Sequence, residues 1–138
     1  MIHQREITLH TRGHGDLHDI TEHVAAIVSE AGVTAGLVNI FNIGSTGCVG
    51  TLEVEPGLTK DLPAVLDHLV PPGKDYGHET TWRDGNTHSH LQSTLVGPSL
   101  TLPIADGKLA LGTWQQVFHL ECDVKPRSRR LLVTIVAG

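Results

Sequence analysis

The chain has 138 residues, 39% of them hydrophobic and 4% aromatic, and a formal charge of −5 with neutral histidines. A chain of this size is one domain, residues 1–138, and buries about two-thirds of its unfolded surface, so Val, Leu and Ile can build a core without staples. The acidic balance speaks against a nucleic-acid groove, and no apolar run approaches the ~20 residues of a membrane helix.

Residues 6–11 alternate through Ile7 and Leu9 and predict an edge strand, broken by Gly13 and Gly15. Ile20, Val24, Ile27 and Val28 recur at helical spacing, with Gly32 as the C-cap. Residues 35–41 are a short apolar run and read as a buried strand. Residues 42–50 read as a loop rich in Gly, Ser and Thr, and 49–54 as a second strand. Leu58, Leu62, Val65, Leu66 and Leu69 return to helical spacing. Pro63 fits only a first turn, which places the start of that helix near Asp61. Pro71, Pro72 and Gly73 end it. Residues 71–87 lack periodicity, and a long polar loop inside a compact domain is usually functional. Residues 87–96 predict a third helix with Asn86 as N-cap. Beyond Gly97 the pattern is all β: Leu100, Leu102 and Ile104 alternate, and Asp106-Gly107 signals a hairpin. Leu109 and Leu111 follow it, and residues 116–121 and 131–136 supply two more strands. The expectation is an α+β fold, a mostly antiparallel sheet or sandwich with two to three helices.

Cys48 and Cys122 are expected to be free and buried, in a reducing cytoplasm, because residues 1–6 carry no apolar signal region. His10, His14, His18 and His23 fit no compact chelate and read as surface residues. Lys125, Arg127, Arg129 and Arg130 read as a solvated turn, with the arginines close enough to pair with Glu121 and Asp123.

The densest polar stretch runs over residues 76–90. It holds His78, His88, His90, Glu79, Asp84 and Asn86. Imidazole is the commonest metal ligand and titrates near neutral pH, and two histidines with a carboxylate suit a divalent metal such as zinc or magnesium. On a helix His88 and His90 would point to different faces. The plainer reading of this stretch is capping residues and exposed histidines. A second candidate is Gly44-Ser45-Thr46-Gly47, whose small residues let backbone N–H groups converge on an anion. A third is Gly112-Thr113-Trp114-Gln115, where Gln115 could meet a ligand and Trp114 could wall a pocket. No Walker motif or nucleophile elbow is present.

In this order the segments resemble the YjbQ family over residues 6–138. The marks are Glu53 with residues 55–62 (EPGLTKDL), Tyr76 and His78, residues 84–100 (DGNTHSHLQSTLVGPSL), residues 106–115 (DGKLALGTWQ), Glu121 and the Arg-rich turn. The resemblance implies a homotrimer with a polar pocket near subunit boundaries. It also implies the family's label, a secondary thiamine-phosphate synthase that joins a hydroxymethylpyrimidine diphosphate to a thiazole phosphate. On that basis His78, His90, Glu53 and Asp84 are the candidate catalytic residues. Ser45, Thr46, Asn86, Gln115 and Arg130 are the candidate substrate contacts, with His78, His88 and His90 on a metal. Many relatives carry histidine where this chain has Gly44, and His88 is expected to fill the space opposite it. The alternatives are a metal-dependent hydrolase of a small substrate and a non-enzymatic trimer that binds a small anion.

Overall fold

The computed structural model describes residues 1–73 and 75–138. Its frame is two antiparallel sheets. The larger has the order β1–β8–β3–β5–β6, built from β1 (Ile2–His10), β8 (Ser128–Val136), β3 (Gly36–Asn42), β5 (Ser99–Ala105) and β6 (Lys108–Leu109). The smaller has the order β2–β7–β4, from β2 (Leu17–Asp19), β7 (Gln116–Glu121) and β4 (Gly47–Leu52).

Alternation fixes which face of each strand turns inward. On β8, Arg129, Leu131, Val133 and Ile135 are buried. Leu131, Val133 and Ile135 meet Val38 and Ile40 of β3, Leu102 and Ile104 of β5, and Ile7 and Leu9 of β1 in one cluster. Helix α1 (Thr21–Ala31) adds Val24, Ile27 and Val28 to it, and Val49 and Val117 complete it from the smaller sheet. The opposite face of the smaller sheet presents Cys48, Phe118, Leu120 and Cys122 to Leu66 of helix α2 (Leu58–Leu69). Val96 of helix α4 (Thr87–Val96) closes that second cluster. Both cysteines are free and buried, with sulfurs 3.8 Å apart.

The Asp106-Gly107 hairpin forms as predicted, with φ of 50° and 75° at the two turn residues. A two-residue turn of this kind needs positive φ at both positions, which Asp and Gly tolerate. Helix α2 begins three residues before Asp61. The Glu55 carboxylate accepts the Gly57 and Leu58 N–H groups and so supplies the cap; Pro63 sits inside the helix, with a ring carbon 3.6 Å from where a Cβ on Gly15 would stand. Strand β2 and the five-residue helix α3 (Gly77–Thr81) were not predicted, being too short for a period to show.

Between the sheets the packing turns polar. Inward-facing His119 and Glu121 of β7 are fully buried, and Arg129 of β8 lies opposite them. Arg129 Nε donates to Glu121 Oε1 at 2.7 Å, and its Nη2 pairs with Oε2. Thr11 Oγ1 donates to Glu121 Oε1 at 2.7 Å and the Asp123 N–H to Oε2 at 2.9 Å, so every partner the carboxylate needs is supplied. His119 Nε2 donates to Asn42 Oδ1 at 2.9 Å. The basic turn is therefore not uniformly solvated: Arg129 is a core residue, while Arg127 pairs with buried Asp123.

Arg129→Met would leave Glu121 buried and unpaired. Urea unfolding should show a loss of about 3–5 kcal/mol, and adding Glu121→Gln should recover part of it. His119 gives a second expectation. Burial pulls its pKa down from 6.5 to about 4. Above pH 6.5 the ring is neutral folded or unfolded, and its contribution is intact. As pH falls from about 6.5 toward 4 the unfolded chain binds a proton that the folded chain does not, so stability falls. Thermal unfolding across that window should show this slope, and His119→Gln should flatten it.

Candidate functional site

The polar stretch folds around one buried carboxylate. Glu79 of α3 accepts the Gly85 N–H at 3.1 Å and the Thr87 hydroxyl at 3.1 Å. That clamp holds the Arg83–Gly85 turn, where Arg83 and Gly85 have φ of 56° and 71°, at the head of α4. Asp84 and Asn86 then meet His78. His78 Nε2 lies 3.0 Å from Asp84 Oδ1. With its amide nitrogen facing the carboxylate, Asn86 donates to the same oxygen at 2.7 Å. Asn86 is thus buried, with its amide turned to Asp84.

The ring of His78 packs on that of His90, centroids 4.6 Å apart. His90 reaches across to the hydroxyl loop. Together with Gly44, Ser45, Gly47, Ser93 and Thr94 it lines a cavity of about 120 Å³. Ser93 Oγ donates to the Ser45 carbonyl at 2.8 Å and ties the loop to α4. Thr46 Oγ1 donates to Asp123 Oδ2 at 3.0 Å and receives Arg129 Nη2 at 2.7 Å. The guanidinium also runs under the loop: a Cβ on Gly44 would sit 2.9 Å from Arg129 Nη1. Gly47 has a related reason, since its Cβ would meet Asn42 Oδ1 and His119 Nε2, each at 2.9 Å. Among the described residues the N–H groups of Gly44, Ser45 and Thr46 donate to no other backbone group.

His88 does not face Gly44. It is buried on another side of α4, its ring 5.3 Å from that of His14 and edge-on to it. His14 in turn contacts the Cys122 carbonyl at 3.1 Å and Asp67 Oδ1 at 2.8 Å. The exchange of imidazoles across the site is therefore not made, because the turn into α4 sends residues 88 and 90 to separate surroundings. His78, His88 and His90 do not fit one metal ion. Among the described residues no three His, Cys, Asp or Glu side chains are arranged to hold one.

The remaining candidates lie elsewhere. Arg130 points to the outer face of the larger sheet and pairs with Glu6, while its neighbour Arg129 takes Glu121. Gln115 Nε2 donates to Thr51 Oγ1 at 3.2 Å, and its Oε1 accepts the Gly112 N–H at 3.1 Å. The register Gly47↔Glu121 and Leu52↔Gln116 puts Gln115 and exposed Glu53 at the far end of the smaller sheet from Thr46. Trp114 is 73% exposed and is not a core residue. Sequence reasoning missed Arg129 and Asp123 under the loop, and His14 with Asp67. The alternation of β8 pointed to Arg129, since it shares a face with Leu131, Val133 and Ile135. Nothing local pointed to His14.

Burial first, and then the charge of His78, lower the pKa of His90 below 6.5. The shift favours the neutral ring. NMR titration should place the His90 midpoint below 6.5, and His78→Gln should move it upward by removing the neighbouring charge.

A family model, the UPF0047 protein YjbQ-like family, matches residues 5–138. A UPF0047 protein of Methanothermobacter thermautotrophicus is 36% identical over 134 residues, covering 97% of this chain and 92% of its own. One from Archaeoglobus fulgidus is 40% identical over 128 residues, covering 93% and 97%. A crystal structure of a protein of unknown function from Sulfolobus solfataricus P2 superposes with a TM-score of 0.92 at 30% identity, covering 100% of this chain and 99% of that one.

Proposed function

The chain belongs to the YjbQ-like UPF0047 family, and from that footing we propose that it binds a small phosphorylated metabolite at the Gly44–Gly47 loop. In the reaction the family label suggests, it joins a hydroxymethylpyrimidine diphosphate to a thiazole phosphate. The observation that carries this reading is the cavity of about 120 Å³ between His90 and the loop, with Arg129 beneath it. Its size suits one phosphoryl group, and its walls offer hydroxyls, backbone N–H groups and an imidazole.

In that reaction the carbon–oxygen bond from the pyrimidine methylene to diphosphate breaks, and its electron pair leaves with diphosphate. A carbon–nitrogen bond to the thiazole forms. The demand on the protein is to stabilise charge on the leaving oxygen. Loop N–H groups, the Ser45 hydroxyl and the Thr94 hydroxyl are the donors for it. His90, held against His78 and through it against Asp84, would give the leaving oxygen its hydrogen bond. Thr46 is bonded to Asp123 and Arg129, so its role is to fix the loop.

The resemblance implies that Gln115 and Glu53 serve this site; lying at the far end of the smaller sheet, they would reach it from another copy of the chain, and on that ground we propose the homotrimer. Exposed Trp114 beside Gln115 fits such an interface, where tryptophan is enriched.

Two measurements test the proposal. With both organic substrates, wild-type protein should release diphosphate, and His90→Ala should lower kcat/KM by about a hundredfold or more. Diphosphate release without the thiazole phosphate would indicate a hydrolase. Tight pyrophosphate binding without turnover would indicate a binding protein. Separately, sedimentation should give the mass of three 14.8 kDa chains, and Trp114→Glu should shift it toward the monomer.

A further inference from the structure

A second cavity, about 360 Å³, opens on the His88 side of α4. It is lined by His14, Pro72, Gly73, Gly85, His88 and Val124. That volume lies in the range of small-molecule pockets. It shares no lining residue with the cavity at the hydroxyl loop. Its walls are largely apolar, and among the described residues the two imidazoles are the polar side chains that line it.

The imidazoles are not equivalent. His14 has both ring nitrogens occupied, by the Cys122 carbonyl and by Asp67, and Asp67 is itself fixed by Gln92 Nε2 at 2.8 Å. His14 therefore offers the cavity only its ring surface. His88 is 3% exposed, and its Nδ1 is sealed from solvent with no partner among the described residues. An orphaned buried N–H is rarer and costlier than an orphaned lone pair. The favoured tautomer of neutral His88 thus leaves Nδ1 bare and puts the hydrogen on Nε2. That N–H has no partner among the described residues, and it is the nitrogen left to face the cavity.

We propose that this cavity is a binding site for a small, flat, uncharged molecule with a hydrogen-bond acceptor at its edge, a heteroaromatic nitrogen or a ring carbonyl, received by the His88 Nε2–H. An anion finds no unpaired cation among the described lining residues, and a cation finds no free carboxylate. An acceptor-free hydrocarbon ring would fill the apolar walls but leave the N–H orphaned.

The test uses pyridine and benzene, which share a shape and differ in the acceptor. At about pH 8 pyridine is neutral, and burial, which lowers the His88 pKa, favours its neutral ring. Long-range nitrogen–proton NMR of the wild-type protein should show His88 as the Nε2–H tautomer. Pyridine should shift its resonances saturably, and benzene should bind at least ten times more weakly. His88→Phe, which keeps a ring in place, should bring pyridine down to the level of benzene. The Nδ1–H tautomer, equal binding of the two probes by wild type, or undiminished pyridine binding by a folded His88→Phe protein would each overturn the assignment.

Discussion

A guanidinium and a carboxylate buried between two sheets set the terms for everything around them. Arg129 and Glu121 belong to different sheets, and neither is tolerable alone. Their pairing fixes how β8 and β7 face each other. The second nitrogen of the fork continues to Thr46, and the second carboxylate oxygen continues to the Asp123 backbone. Asp123 then holds both the Thr46 hydroxyl and Arg127. A hydrophobic pair of equal volume could stabilise the sandwich as well. It could not carry a hydrogen-bond chain out to the surface.

The hydroxyl loop is where that chain ends. Thr46 is spoken for from below, which leaves the loop's N–H groups and Ser45 to face outward. From above, α4 supplies His90, and Ser93 ties helix to loop. The helix is placed in turn by Glu79, which pins the turn before it. Two buried carboxylates, Glu79 and Glu121, thus position the two walls of one cavity. Functional sites commonly rest on supporting shells of this kind.

Much of the frame was legible because it rests on period. Inward residues of β3, β5, β7 and β8 alternate, and α1 repeats at helical spacing, so strands and core followed from the pattern. The starts of elements were less so. Glu55 caps α2 from outside its periodic run, and Pro63 pointed to a later start than the chain adopts. The candidate site was legible in part. His78, Asp84 and His90 lie within fifteen residues and do assemble. His88 is two residues from His90, and the family resemblance put both on one metal, yet residues two apart on a helix diverge. Arg130 was named on the family resemblance and its phosphate-matching fork, although strand alternation turns Arg129, in phase with Leu131, toward the site. His14 joins Asp67 and His88 only through the fold, across gaps no local pattern spans.

The missing side chain at position 44 has a consequence for how the chain can change over generations. Arg129 runs where a Cβ would stand, and it cannot swing aside while Glu121 and Thr46 hold it. Glycine at 44 and the posture of Arg129 are therefore one heritable choice made at two loci. A lineage with histidine at 44 must hold the guanidinium differently. Passage between the two forms needs coordinated substitutions, because the intermediate with a bulky residue 44 and an unmoved arginine is penalised.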